Sequence, residues 1–273
     1  MSRKTASRQW LWIASCGVGC TLLLLVGFGL GIADIIYPAS VPFADAPGVK
    51  TSPTTDTATH SEQEIRIAAL GDSLTRGTGD GTGQGYVRRV LSTLEKSKEK
   101  PVTLLNNLAV NGLRADQLVE RIEKDSAGYV LKQANVILLT IGGNDLFQGA
   151  QSEQMSAKEM QLDTLVAKVD AGIVHLKQVL TQLRKWNPDA LIIYVGLYNP
   201  FSDLQAMREI GNAVVQKWND SAYAFINKDK NMMMVPTYDL FQRNSSKYLS
   251  SDHFHPNGDG YDAIAKRIVQ SIQ

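Results

Sequence analysis

The stretch Ile65-Arg66-Ile67-Ala68-Ala69-Leu70-Gly71-Asp72-Ser73-Leu74 decides how this chain is read. A short, nearly continuous apolar run suits a strand buried on both faces. The small-residue turn after it leaves the Ser73 hydroxyl at the mouth of a sheet. Four more runs of this kind follow, at 102–110, 135–141, 191–197 and 232–237. Amphipathic segments alternate with the runs, at 86–98, 115–124, 164–186, 204–227 and 260–272. Alternating β and α predicts an α/β fold, a three-layer α/β/α sandwich on a five-stranded parallel sheet with right-handed crossovers. No internal repeat is visible.

Upstream of this domain, taken as 64–273, the character changes twice. Arg3, Lys4 and Arg8 lie in a basic tail, 1–9, followed by an apolar stretch over 10–36 that meets its first charge only at Asp34. A helix of about 20 apolar residues crosses a hydrocarbon core of ~30 Å, so 10–36 is expected to be a transmembrane anchor. Basic residues stay cytoplasmic, which puts the rest of the chain outside the membrane. Ala44-Asp45-Ala46 has the small-x-small form of a signal cleavage site, but lies far beyond the apolar core, so an uncleaved anchor is the favoured reading. Residues 37–63 are rich in Pro, Ala, Thr, Ser and Asp without apolar periodicity, as in Thr51-Ser52-Pro53-Thr54-Thr55-Asp56-Thr57. They read as a flexible tether with a span of roughly 30 Å.

Charge and cysteine usage exclude several classes. The 28 basic and 27 acidic residues leave a net charge of +1, with no long basic block to hold nucleic acid. Both cysteines, Cys16 and Cys20, fall in the anchor, so the domain uses neither disulfides nor thiolate chemistry.

In a doubly wound sheet, ligands gather beyond the carboxyl ends of the strands. Ser73 follows the first run, Gly112 the second, and Asn144 the third within Gly142-Gly143-Asn144-Asp145. After the fifth run comes Asp252-His253-Phe254-His255-Pro256. A serine attacks a carbonyl when a histidine takes its proton and a carboxylate orients that histidine. His253 and His255 stand two residues apart, and an extended segment turns them to opposite sides. Taken singly, each residue has a structural reading: Ser73 or Asp72 as a helix cap, Gly112 as a turn glycine, and Asn144 and Asp145 as turn residues. His60 and His175 read as structural or solvated, and Trp186 and Trp218 as core.

These four segments together resemble the SGNH, or GDSL-type, hydrolase family. Gly71-Asp72-Ser73-Leu74 looks like its first block, Asn107-Leu108-Ala109-Val110-Asn111-Gly112 its second, Gly142-Gly143-Asn144-Asp145 its third and Asp252-His253-Phe254-His255-Pro256 its last. Within the family the chain looks most like a YpmR-like, membrane-anchored group of Gram-positive bacteria, partly through Gly196-Leu197-Tyr198-Asn199-Pro200-Phe201. The resemblance implies a flavodoxin-like fold and a cofactor-free, metal-free serine esterase. It implies Ser73 as nucleophile, His255 rather than His253 as base, and Asp252 as its orienting carboxylate. The oxyanion donors it implies are the Ser73 and Gly112 N–H groups and the Asn144 amide. One departure is Asn111-Gly112-Leu113, where many relatives carry Ser-Gly-x-Thr.

The expected substrate is an acyl ester, with lipid or lysophospholipid esters slightly preferred over a carbohydrate or cell-wall O-acetyl ester. A non-catalytic envelope binding module is the alternative of another class. A metal site from Asp252, His253, His255 and Asp259 lacks a further histidine cluster to support it. Gly77-Thr78-Gly79-Asp80-Gly81-Thr82-Gly83 lacks the Lys-Ser/Thr ending of a phosphate loop and is expected to be a mobile loop beside the nucleophile. Arg76 beside it is available for an anionic substrate, though a solvated arginine is the simpler reading.

Overall fold

A computed structural model describes residues 19–21, 23–24, 64–97, 101–124, 127–149 and 161–272. The chain divides into two units, Met1–Ala58 and Thr59–Gln273. In the first, Gly19, Cys20, Thr21, Leu23 and Leu24 are helical. The rest of the expected anchor at 10–36, the basic tail and the 37–63 tether lie outside the described residues. Among the described residues no helix is long and apolar enough to cross a membrane.

The second unit is built on five strands: β1 Ile65–Gly71, β2 Val102–Asn107, β3 Val136–Thr140, β4 Leu191–Val195 and β5 Met232–Val235. All pair in parallel, in the order β2-β1-β3-β4-β5. The helices are α1 Ser73–Arg76, α2 Gly85–Ser97, α3 Ala115–Lys124, α4 Ala127–Gln133, α5 Gly143–Phe147, α6 Leu162–Trp186, α7 Gln205–Ile226, α8 Tyr238–Gln242, α9 Ser245–Tyr248 and α10 Gly258–Ile272. The central strands β3 and β4 read as almost wholly apolar runs because helices cover both faces, whereas the edge strand β2 carries Thr103, Asn106 and Asn107. Ile67, Ala69, Leu138, Ile193 and Val195 pack with residues of α2 and α10. Ala68, Leu70, Ile137, Leu139, Ile192 and Tyr194 pack with α3, α4, α6 and α7. Successive side chains of one strand thus serve two separate cores.

The second, fourth and fifth runs extend two residues or more beyond the strands they form, and side-chain or imino chemistry ends each. In the second, the Asn107 carbonyl oxygen accepts the Ala109 N–H at 3.1 Å and its amide donates to the Thr75 carbonyl at 2.8 Å. The backbone still runs beside β1, with Leu108 and Val110 donating to Ala69 and Gly71 at 2.8 and 2.9 Å. In the fourth, Leu197 donates to the Asn219 side chain at 2.9 Å instead of to a neighbouring strand. In the fifth, Pro236 has no N–H to continue the ladder.

Trp218 is wholly buried at the centre of the α6–α7 side and donates to the Tyr194 hydroxyl at 2.8 Å. Trp186, expected in the core, is only half-buried, with the Lys132 ammonium 5.0 Å from the ring centroid. Its ring packs so tightly on α4 that a Cβ at Gly128 would come within 2.6 Å of it.

Candidate active site

Each chemical residue emerges where a strand gives out. β1 ends at Gly71, and Asp72 caps the single turn α1, its carboxylate accepting the Leu74 N–H at 3.1 Å. Because Asp72 does the capping, the Ser73 hydroxyl is free for another partner, and it meets His255 Nε2 at 2.8 Å. Gly77 closes the turn in the left-handed region, donating to the Ser73 and Leu74 carbonyls.

The histidine comes from the loop between α9 and α10. His255 Nδ1 lies 2.7 Å from Asp252 Oδ2. The other carboxylate oxygen accepts the Ser250 hydroxyl at 2.7 Å and the Phe254 and His255 N–H groups at 3.0 and 2.9 Å. Partial burial pushes the Asp252 pKa up, but the hydrogen bonds from His255, Ser250 and the two N–H groups outweigh it and hold it at about 2. The stability this gives is present above the ordinary value of 3.8 and fades as pH falls toward about 2. His253 is exposed and adopts a φ of 53°, while His255 is buried and is the histidine that meets Ser73.

Behind the serine lies a buried hydroxyl chain that sequence reasoning missed. Thr140, at the end of β3, donates to Asp72 at 2.7 Å; its oxygen is 2.6 Å from the Thr75 hydroxyl, which is 2.7 Å from that of Tyr86. Burial raises the Asp72 pKa, with the Thr140 and Leu74 hydrogen bonds opposing it. Nothing local in the sequence pairs Thr140 with Asp72, since 68 residues separate them.

The second and third segments meet across α5. Val110 donates to the Gly71 carbonyl, so Gly112 stands two residues beyond a point fixed to the strand that carries Ser73. Gly112 has φ +74°, with open space where a Cβ would stand, so backbone conformation rather than crowding requires glycine there. Neither the Ser73 nor the Gly112 N–H finds a backbone acceptor among the described residues. Asn144 donates one amide hydrogen to the Leu113 carbonyl at 3.0 Å, leaving the second available. The neighbouring Asp145 carboxylate accepts the Ala115 N–H at 3.1 and 3.2 Å, capping α3. The two residues together tie α5 to the segment that carries Gly112.

Burial raises the Asp145 pKa to about 6, assisted by Asp116 and Asp72 and opposed by the Ala115 N–H. The folded state therefore holds this proton more tightly, and that advantage is lost as pH rises from 3.8 through about 6. Asp145→Asn keeps an acceptor for Ala115 and removes the charge. It is expected to stabilise the fold by about 1–3 kcal/mol at pH 8 and by little at pH 4. Urea unfolding at the two pH values checks this; an equal gain at both would show that burial of the charge is not the cause.

The loop carrying Asp80 departs from expectation. Instead of being mobile, it is pinned: the Asp80 carboxylate accepts the Thr82 and Gly85 N–H groups and the Arg89 guanidinium, each at 2.9 Å. Arg76 is exposed. Beside Ser73 lies a cavity of about 20 Å³, lined by Leu74, Gly143, Phe147, Leu197, Pro200 and Phe254 among others. The Tyr198 hydroxyl spans from this wall to the Phe254 carbonyl at 2.6 Å, bracing the histidine loop. No group of three or more His, Cys, Asp or Glu among the described residues is placed to hold a metal ion.

A serine hydroxyl on an imidazole, itself held by a carboxylate at the rim of a parallel sheet, is a constellation suited to acyl transfer. Residues 69–263 match the GDSL-like Lipase/Acylhydrolase family, and the chain belongs to it. The chain is 36% identical over 218 residues to the uncharacterized protein YpmR of Bacillus subtilis (strain 168), covering 79% of this chain and 84% of that one. It is 25% identical over 211 residues to the spore germination lipase LipC of Bacillus licheniformis, covering 75% of this chain and 94% of that one. Among solved structures, the lipase Lip_vut3 from a goat rumen metagenome superposes with a TM-score of 0.67 at 25% identity, covering 76% of this chain and 97% of that one. The protein is a serine ester hydrolase of this family.

Proposed function

We propose that the protein cleaves acyl esters through a Ser73–His255–Asp252 triad, and that its natural substrate is a lipid or lysophospholipid ester. The observation that carries the triad is the unbroken chain from Ser73 Oγ through His255 to Asp252, at 2.8 and 2.7 Å. Ser73 Oγ bonds to the ester carbonyl carbon as its proton passes to His255 Nε2. The Ser73 and Gly112 N–H groups and the free Asn144 amide hydrogen receive the oxyanion. Collapse breaks the ester C–O bond, and His255 returns the proton to the leaving alcohol. Water then repeats the sequence on the acyl-enzyme, with its proton passing through His255 back to Ser73.

The lipid reading draws on the lipase relatives and on the sequence of 10–36, which in this proposal anchors the domain outside the membrane on the 37–63 tether. A second reading, a carbohydrate or cell-wall O-acetyl esterase, is favoured by the cavity of about 20 Å³. That volume is close to what one water molecule needs, roughly 10–15 Å³, and accepts an acetyl methyl more readily than an alkyl chain. Hydrolysis of p-nitrophenyl esters from acetate to palmitate separates the two. An optimum at caprylate or longer supports the lipid ester, and turnover confined to acetate and propionate supports the acetyl ester. A protein inert to every ester and to fluorophosphonate would leave only the binding module.

A further inference from the structure

The loop 77–85 leaves the nucleophile turn and returns to it, closed where Gly85 touches Gly77: a Cβ on Gly85 would lie 2.7 Å from the Gly77 Cα. At its centre is the Asp80 side chain, wholly removed from solvent. One oxygen accepts the Thr82 N–H and hydroxyl at 2.9 and 2.8 Å. The other accepts the Gly85 N–H and Arg89 Nη2, both at 2.9 Å. These four donors, one of them cationic, outweigh the effect of burial and hold the carboxyl below its ordinary range. Arg89 belongs to α2, whose Tyr86, Val87 and Val90 are buried in the core on that face.

From this fixed centre the loop reaches the histidine segment, the residue before Gly112 and the helix that follows the histidine loop. Gly79 lies directly against the histidine: a Cβ there would be 2.8 Å from His255 Cβ and 2.6 Å from the Pro256 carbonyl oxygen. It would also be 3.1 Å from the Ser250 hydroxyl, which donates to Asp252. The Thr78 hydroxyl donates to the Asn111 side chain at 3.1 Å, one residue before Gly112. The Thr78 carbonyl accepts the Tyr261 hydroxyl at 2.7 Å, from the helix that follows the histidine loop.

We propose that Asp80 is a positioning residue: its ion pair with Arg89 holds the loop so that the Gly79 backbone is the wall on which His255 is seated over Ser73. A carboxylate bonded only to its own loop and to α2 would be a local staple. Here the stapled backbone touches the imidazole-bearing residue itself, so a shift of the loop is a shift of the base. Displacing a reacting group by about 1 Å costs on the order of 10²-fold in rate.

The inference rests on the hydrolase reading, and the test separates the two. The full chain, Asp80→Asn, Gly79→Ala and a control, Arg184→Gln, are compared by kcat and KM on p-nitrophenyl acetate. The low-field proton resonance of His255 Nδ1, which reports its bond to Asp252, is recorded for each. Arg184→Gln breaks an ion pair to Asp229 of similar length, 2.7 Å, that touches none of the site residues. Asp80→Asn puts a donor toward donors, and is expected to lower kcat roughly 10- to 100-fold with KM near wild type and a broadened resonance. Gly79→Ala meets His255 directly and is expected to lose about 10²-fold or more. The control is expected to lower the thermal midpoint while leaving kcat and the resonance in place. If Asp80→Asn does not fold, Gly79→Ala carries the test with the ion pair intact. Wild-type kcat together with an unmoved resonance in either folded variant overturns the proposal. A wild type inert on esters overturns the hydrolase reading alone, and the resonance then decides the seating of His255 by itself.

Discussion

Ser73→Ala is expected to lower kcat/KM on every acyl ester by roughly 10⁴- to 10⁶-fold, with the fold intact. The size follows from what is removed. Without Oγ no acyl-enzyme forms, and His255 is left facing a methyl group. Only the oxyanion donors and substrate binding remain, and they accelerate attack by water alone. The fold is spared because Asp72, not Ser73, caps α1, so no helix terminus loses its partner. Side-by-side kinetics on a p-nitrophenyl ester, with urea unfolding as the control for stability, check both halves. A variant that keeps a tenth of the wild-type rate would show that Ser73 is not the nucleophile. A variant that unfolds at much lower urea would show that the hydroxyl has a structural role.

On the proposed triad the same substitution is expected to erase labelling by a fluorophosphonate, because that reagent reacts with a serine oxygen whose proton a base removes. Ser73 is 5% exposed, and its neighbours Asp72 and Leu74 line the cavity of about 20 Å³.

How far such a site can be read from sequence depends on which contacts are local. The strands are legible because burial on both faces writes them as apolar runs, and their order of appearance with intervening helices writes the parallel sheet. Their ends are not, since Asn107, Asn219 and Pro236 stop them through side-chain or imino chemistry that an apolar run does not show. The helix Ala127–Gln133 is hidden for a similar reason: its Gly128 looks like a breaker, but accommodates the Trp186 ring. Ser73, Gly112, Asn144 and His255 are legible as candidates because each closely follows a strand or stands in a short block of distinctive residues. Asp80 with Arg89, and Thr140 with Asp72 and Thr75, are not. Their partnerships are made by the folded loop and by strands brought together, and a glycine-rich stretch carries the same outward appearance whether pinned or mobile. Choosing between His253 and His255 from residues alone requires knowing the backbone of a turn, which Asp252 itself sets by accepting two N–H groups.

That double use of Asp252 makes its amide variant the sharper test. Oδ1 accepts three donors: the Ser250 hydroxyl and the Phe254 and His255 N–H groups. In Asp252→Asn those three donors select the orientation with the amide oxygen in place of Oδ1. The amide nitrogen then takes the place of Oδ2, and its hydrogens point at His255 Nδ1. Nδ1 must accept, so the proton of the neutral ring moves to Nε2 and faces Ser73. A base with its lone pair turned away cannot take the serine proton. The expected loss in kcat is about 10⁴-fold, as for a wrong-tautomer substitution, with KM little changed. Stability should fall only slightly, because the turn keeps all three of its hydrogen bonds. Asp252→Ala is the complement: it leaves Nδ1 to water, so either tautomer is available, but it strips the turn of its acceptor. It is expected to be less stable than the amide variant and yet more active. Steady-state kinetics and urea unfolding on the pair decide the matter. The opposite order of activities would mean that Asp252 serves His255 as a charge and a turn-former, without governing which nitrogen carries the proton.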